Sequence, residues 1–548
     1  MKNPLFSRQR LLPLLLLLSY PCSVSFAARV ERLIDTWQPQ HYLVNITLDD
    51  QLTTITSATT LIDILILKPT SLIDLDFGEM TIDAVTLNSK PVSFTHKDGK
   101  LKISLLEPAT PRSHLQISVQ YHGKPKDGLI LTNDKDGKPS AIGDNWPNRV
   151  HHWIPTLDHP SAKATVTFNI IAPAANEVVA NGRLDHVETT STGTRTWTYS
   201  EAVPIPPYCM IIGVGQFKRF EPVERALTPL SYYVPQSDAP FAVKGFYPSV
   251  SSVAFFSETV APYPYEKLAL IVGATRFGGM ENSSAIVFTS TLFNPKPSAR
   301  ISNTFGIPSG SVSLIAHEIA HQWFGDSVTE STWSDLWLSE GFATYFAGLF
   351  VQKYEGEEAF QRYMTGAAEA AFEYEKKTRT PIFDRGTEDL FKLLNANNYQ
   401  KGAWVLHMLR SRLGDDVFFR GIRNYYHAHA KATASTEDLR AALEKSSGHD
   451  LRPFFARWFY DSGHPQYELS WQWVNQRELR LVLRQNQSGN LFSDPVPLTI
   501  RTASGTKDLV LKPTGKTTVE TIQLRDKPSN IDLDAHNTLL KEARVLNQ

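Results

Sequence analysis

The chain has 548 residues, enough for roughly three to four domains at about 150 residues each, and its composition (42% hydrophobic, 11% aromatic, 20% charged) suits large buried cores. Its 55 basic and 56 acidic residues leave a net charge of −1. With no basic excess or stripe the sequence argues against a nucleic-acid partner, and with no long run of one charge sign it argues against a charged tail.

At the N-terminus, Lys2, Arg8 and Arg10 flank an apolar stretch over residues 11–20 that only Pro13 and Ser19 interrupt, and Ser25-Phe26-Ala27 supplies small residues where a signal peptidase reads. Residues 1–27 therefore read as a secretory signal peptide, which predicts an exported protein, periplasmic or secreted. The apolar run is shorter than the ~20 residues of a spanning helix, and no other long apolar segment follows, so no integral membrane segment is expected in the mature chain. Cys22 leaves with the signal and Cys209 remains, so the core must hold the fold without an internal disulfide. Cys209, between Pro206-Pro207-Tyr208 and Met210-Ile211-Ile212, reads as a structural thiol in a buried strand.

From about residue 40 to 220 the pattern has period two. Val44, Ile46 and Leu48 alternate with polar residues, as do Leu115, Ile117 and Val119, and Val166, Phe168 and Ile170, with turn-rich breaks such as residues 134–139. An all-β domain is expected over residues 28–220. Within it, the adjacent pair His151-His152 lacks the spacing of metal ligands and reads as packing or surface. Helical spacing then dominates near 312–324, 335–352, 357–375, 400–412, 416–430 and 436–445, with Gly325 suited to a helix stop, so residues 221–462 form a mainly helical domain. After His464-Pro465 period two returns through Tyr467, Leu469, Trp471, then Leu479, Leu481, Leu483, then Ile531 and Leu533. Residues 463–548 are expected to form a small β-sandwich. The fold class is thus multidomain α+β.

The helical domain holds His317-Glu318-Ile319-Ala320-His321 inside the apolar pattern Leu314, Ile315, Ile319, Ala320, Trp323, Phe324. Residues four apart share a helix face, so both imidazoles can bind one ion through a ring nitrogen, and Glu318, one step round, can reach a water at the metal without being a ligand. Glu340 lies 19 residues after His321 in a second helical segment beyond the turn at 326–332. Two antiparallel helices would bring it to the histidines. Two His, one Glu and an open position describe a catalytic zinc site with one ion per chain.

Phe277-Gly278-Gly279-Met280-Glu281-Asn282 adds an exopeptidase signal. A glycine pair lets a substrate backbone approach, and a carboxylate beside such an edge can hold a free ammonium. If the substrate lies along this edge as an added strand, Glu281 fixes its N-terminus and only the first peptide bond reaches the metal. Asn282-Ser283-Ser284 also matches a glycosylation acceptor.

These motifs together resemble the M1 family of metallo-aminopeptidases, the gluzincins that include aminopeptidase N and leukotriene A4 hydrolase. The family's Gly-x-Met-Glu-Asn edge matches Gly278 to Asn282, its zinc motif with a downstream Glu matches His317, Glu318, His321 and Glu340, and its Tyr-x-Lys-Gly segment matches Tyr399-Gln400-Lys401-Gly402. The resemblance implies a saddle-like N-terminal β domain, a thermolysin-like catalytic domain and a small β-sandwich. It implies hydrolysis of the N-terminal peptide bond of peptides with a free N-terminus, with Glu318 as general base and Tyr399 stabilising the transition state. Two departures stand out. The large helical C-terminal domain of many members has no counterpart before Gln548, which predicts a cleft more open or closed by a second subunit. The Gln or Glu with which many members help hold the amine is also missing from Asp144-Asn145-Trp146-Pro147-Asn148-Arg149, where Asp144 is the candidate. A thermolysin-type endopeptidase, a non-catalytic peptide-binding protein, and an enzyme that also hydrolyses epoxides are the competing readings.

Overall fold

The computed structural model describes residues 28–189, 193–293, 299–475 and 477–547, so the signal-peptide reading lies outside the described residues. In the N-terminal region, alternation of buried and half-buried residues gives long strands. Trp37–Leu48 lies in an eight-stranded sheet, antiparallel to Ile55–Ile66 and parallel to Ala164–Pro173, with His114–Gly123 and Thr194–Ile205 further out. A three-stranded sheet (Thr70–Asp76, Phe94–Lys97, Lys100–Ala109) supplies Ile73, Leu75, Leu101 and Ile103 to the same core.

A further sheet orders Glu177–Ala180, Ile212–Gly215, Pro139–Gly143 and Leu129–Asn133. The hairpin between its last two strands turns at the expected 134–139 break, where Gly137 takes φ +74°. This sheet carries the N-terminal region onto the helical one. Ile142, Trp146, Val179, Cys209 and Ile211 share one apolar cluster with Ile271, Met280, Val287, Trp333 and Leu393. Cys209 is buried, as expected of a structural thiol, but in the helical turn Pro207–Cys209 rather than a strand, because Pro206 and Pro207 cannot supply ladder donors.

The middle region opens with a sheet the periodicity did not reveal, ordered Lys218–Phe220, Leu230–Val234, Leu268–Val272, Ala285–Phe288, Gly279–Met280. Leu268–Val272 is buried along its whole length, so it has no alternation to read. The boundary expected at 220/221 falls inside this sheet's first hairpin. Gly279–Met280 is an outermost strand and, among the described residues, leaves one ladder edge open. The helices follow: α1 (Pro248–Thr259), α2 (Ser309–His321), α3 (Trp337–Glu355), α4 (Glu357–Glu375), α5 (Gly402–Leu413), α6 (Asp415–His429) and α7 (Thr436–Ser447). Six match the expected spacing; α1 and the short helices Ala242–Gly245 and Arg452–Trp458 do not follow from it. In α3 nearly every residue from Trp337 to Val351 is buried, the mark of a central helix rather than an amphipathic one.

The C-terminal region is a sandwich of a four-stranded sheet built around Gln466–Asn475 and Glu478–Gln485 and a three-stranded sheet built around Val496–Thr502. Leu469, Leu481, Leu498, Ile500 and Ile531 meet between them and continue into the helical core through Phe454 and Trp458. Among the described residues, no helix is long and apolar enough to cross a membrane.

Candidate metal centre and substrate cleft

His317 and His321 lie on one face of α2, and Glu340 enters from the first turn of α3, which packs against α2. The two Nε2 atoms are 3.0 Å apart, and Glu340 Oε2 lies 3.4 Å from His317 Nε2 and 3.3 Å from His321 Nε2. Donors around a tetrahedral zinc, each about 2.0–2.1 Å from the ion, would be separated by about 3.3 Å, so the triangle matches one face of such a site. Glu340 Oε2 is buried with no hydrogen-bond donor, as a ligand oxygen turned toward an ion would be. Behind the site, His321 Nδ1 lies 3.2 Å from the Phe324 carbonyl and 3.0 Å from Ser339 Oγ. Donation from Nδ1–H to that carbonyl leaves the Nε2 lone pair for a metal. α2 ends at His321 with Gln322 as its C-cap, short of the stop expected at Gly325; Gly325, at φ +123°, lies in the turn beyond, where a Cβ would strike Ser339 Oγ and crowd the His321 ring. The residues present fit a zinc ion.

Glu318 and Glu281 converge on the same place. Their carboxylate oxygens and a His321 ring nitrogen all lie within 4.8 Å of one another. Burial and the neighbouring carboxylates push the Glu318 carboxyl well up, with His321 opposing. Burial likewise pushes Glu281 up to about 7, His321 opposing. For Glu340 burial acts upward, but the two histidines outweigh it and hold the carboxyl down at about 2. Tyr399 stacks on His317, with centroids 5.9 Å apart and planes within 8°, and burial together with Glu340 keeps its hydroxyl protonated far above the usual range.

These groups open into a cleft of about 570 Å³. Gly310, Ser313, Leu314 and His317 line one wall as a single stripe of α2, and Gly278 to Glu281 line the opposite edge. Of the edge glycines, Gly279 has the stricter requirement: a Cβ there would collide with the Glu318 carboxylate, whereas one on Gly278 would meet only Leu314 Cδ2 at 3.7 Å. Trp146, Phe277, Met280 and Leu394 form an apolar end. Trp146 makes edge contacts with Phe277, Trp333 and Phe391 at 6.0, 5.9 and 5.9 Å.

The structure does not bring Asp144 or Asn282 to the cleft. Asp144 is fully buried. It pairs with Arg149 (2.9 Å) and accepts from Thr275 Oγ1 (3.1 Å), so its charge is already used to hold the loop beside Phe277. Asn282 is also fully buried, and its amide turns to the Met280 carbonyl at 3.4 Å. The segment around Asp144 does reach the site, but through Trp146, two residues on. Gln322 is another unanticipated contributor. Its Nε2 donates to the Glu281 carbonyl (2.9 Å) and to Asp326 (2.8 Å), while its Oε1 accepts from Ser284 N (2.8 Å) and the Tyr263 hydroxyl (2.9 Å). It thereby ties the Glu281 segment to the end of α2. No spacing rule marks a glutamine for that task. His151 pairs with Asp158 at 2.8 Å and belongs to neither candidate metal group among the described residues.

Residues 38–209 match the family model described as the peptidase M1 N-terminal domain, and residues 249–458 match the peptidase family M1 domain. The chain belongs to peptidase family M1. It is 26% identical over 466 residues to tricorn protease-interacting factor F2 of Thermoplasma acidophilum, covering 80% of this chain and 56% of that protein. It is 25% identical over 433 residues to a leucyl aminopeptidase of Saccharolobus solfataricus (77% and 52%) and 26% identical over 369 residues to the glutamyl aminopeptidase of Rattus norvegicus (65% and 38%). The chain spans about half the length of the curated relatives it matches.

Proposed function

We propose that this protein is a zinc-dependent aminopeptidase that releases the first residue of peptides with a free N-terminus. The observation that carries this reading is the approach of Glu281 to within 4.8 Å of Glu318 and of the ligand His321. An ammonium held by Glu281 is then separated from the metal by one residue, since consecutive Cα atoms are about 3.8 Å apart. An endopeptidase needs open cleft on that side.

His317, His321 and Glu340 would hold the zinc, which when bound supplies Lewis acidity toward a water and the scissile carbonyl. The open edge of Gly278–Met280 pairs with the substrate backbone. Glu318, made basic by burial, accepts the proton of the attacking water and delivers it to the leaving amine. Tyr399, protonated and beside His317, donates to the developing oxyanion. The first side chain would occupy the apolar end at Trp146, Phe277, Met280 and Leu394, which suits a large apolar or aromatic residue. Export rests on the pattern of residues 1–27 alone.

The test is one peptide with a free N-terminus beside its acetylated twin, with bound zinc quantified. Stepwise release from the free peptide only, lost with a chelator and in Glu281→Ala, is expected. Cleavage of both peptides would establish an endopeptidase instead. Bound zinc with cleavage of neither would leave a peptide-binding protein.

A further inference from the structure

The proposed chemistry uses Tyr399 of the Tyr399-Gln400-Lys401-Gly402 segment and leaves Lys401 without a task. Lys401 is fully buried, a costly place for an ammonium unless it is paired. Its Nζ donates to Glu375 Oε1 at the end of α4 (2.5 Å) and to the Gly463 carbonyl (2.9 Å). The other Glu375 oxygen takes His464 Nδ1, and His464 Nε2 lies 3.2 Å from Glu542 Oε2, which also accepts from Gln466 (2.5 Å). One connected set of charges therefore joins α4, the turn Asn397–Lys401 that presents Tyr399, and both ends of the C-terminal sandwich.

A second contact fixes the same turn from the opposite side. Gly402 follows it, and Gly341 follows the ligand Glu340. A Cβ on Gly402 would lie 3.1 Å from Gly341 Cα, and one on Gly341 would lie 3.0 Å from the Asn398 carbonyl, so the two backbones touch. The turn has π-helical geometry, in which one extra residue re-aims a side chain. Asn397 Nδ2 bonds the Thr380 carbonyl (2.8 Å) and Asn398 Nδ2 the Leu393 carbonyl (2.7 Å), completing its hold.

We infer that Lys401 and Glu375 are positioning residues for Tyr399, clamping its turn between α3 and the Gly463–His464 linker so that the start of the C-terminal β region is part of the active-site scaffold. This rests on the reading of Tyr399 as oxyanion donor. Lys401 is two residues from Tyr399 in the same turn, which makes the turn the shortest covalent route from the buried ion pair to the cleft, and a displacement of about 1 Å at such a donor is enough to cost about 100-fold in rate.

The test is a double-mutant cycle. Lys401→Met should lower kcat by about 10- to 100-fold while KM and bound zinc hold, yet cost less than about threefold when introduced into Tyr399→Phe. Glu375→Gln, which keeps an acceptor for Lys401, serves if Lys401→Met does not fold, with a smaller loss and the same cancellation. Equal losses in both backgrounds, or a loss confined to KM or zinc content, would overturn the proposal. A crystal structure of either variant reads the same point without turnover: a Tyr399 ring moved off His317 supports it, and an unmoved ring overturns it. Lack of turnover in the unaltered enzyme, or full kcat in Tyr399→Phe, would instead count against the proposed function, and the crystal structures would still decide the clamp.

Discussion

The proposed metal side of the cleft comes from two consecutive helices, whereas the side proposed to face a substrate's amine and first side chain is assembled from segments around residues 146, 279 and 394, distant in sequence. On the metal side, helical geometry makes spacing and location nearly the same thing: His317 and His321 share a face of α2, and Glu340 needs only that α3 pack beside it. On the other side, location depends on how the N-terminal sheet meets the catalytic sheet, through the cluster of Ile142, Trp146, Ile271 and Met280. The candidate metal ligands are local in sequence and the apolar lining is not.

Glu318→Gln tests the local half most severely. It removes the base and leaves the three ligands, so kcat should fall by about 10⁴-fold with zinc content unchanged by elemental analysis. A variant that retains a tenth of normal turnover would assign the proton transfer to another group. Gly279→Ala tests the seam between the halves. Its Cβ would displace the Glu318 carboxylate, so kcat should fall by about 100-fold, while Gly278→Ala, with open space beside it, should cost far less. Equal losses from the two would show that close substrate approach, rather than room for Glu318, governs the glycine pair.

Trp146→Ala addresses the distant half alone. Removing the apolar end should reduce the preference for a phenylalanyl over an alanyl substrate by about 10- to 100-fold in kcat/KM, leaving the alanyl rate nearly intact. Asp144→Asn should change that ratio little. A selectivity change as large as that of Trp146→Ala would return Asp144 to the substrate site.

The same contrast explains what the sequence made legible. Strands with one solvated face, such as Trp37–Leu48 and His114–Gly123, show their period, and amphipathic helices such as α4, α6 and α7 show theirs. Leu268–Val272 does not, because both of its faces are buried and hydrophobicity stops alternating. Among site residues, His317, Glu318, His321 and Glu340 could be placed because one helix and its neighbour relate them. Asp144 was chosen from the correct segment by charge, yet its charge is spent on Arg149, and the side chain that lines the cleft is the uncharged Trp146. Charge in sequence shows which residues can bind an ion. It does not show which of them have already been neutralised within the fold.

The smallest expected effect concerns the junction that neither half of the cleft contains. Burial raises the Glu375 carboxyl, but His464 and Lys401 outweigh it and hold it down at about 2, against an ordinary value of 4.5. A carboxyl depressed in the folded state contributes stability that is fully present above about pH 4.5 and is lost as pH falls toward 2. The difference in Tm between the unaltered protein and Glu375→Gln should therefore be constant at neutral pH, shrink below pH 4.5 and vanish near pH 2. Differential scanning calorimetry across that window checks it. A difference that stays constant through the acid range would mean that Glu375 acts at the junction by shape and hydrogen bonding rather than by charge, and the clamp on the Tyr399 turn would then depend on the Lys401–Gly463 bond and the Gly341–Gly402 contact.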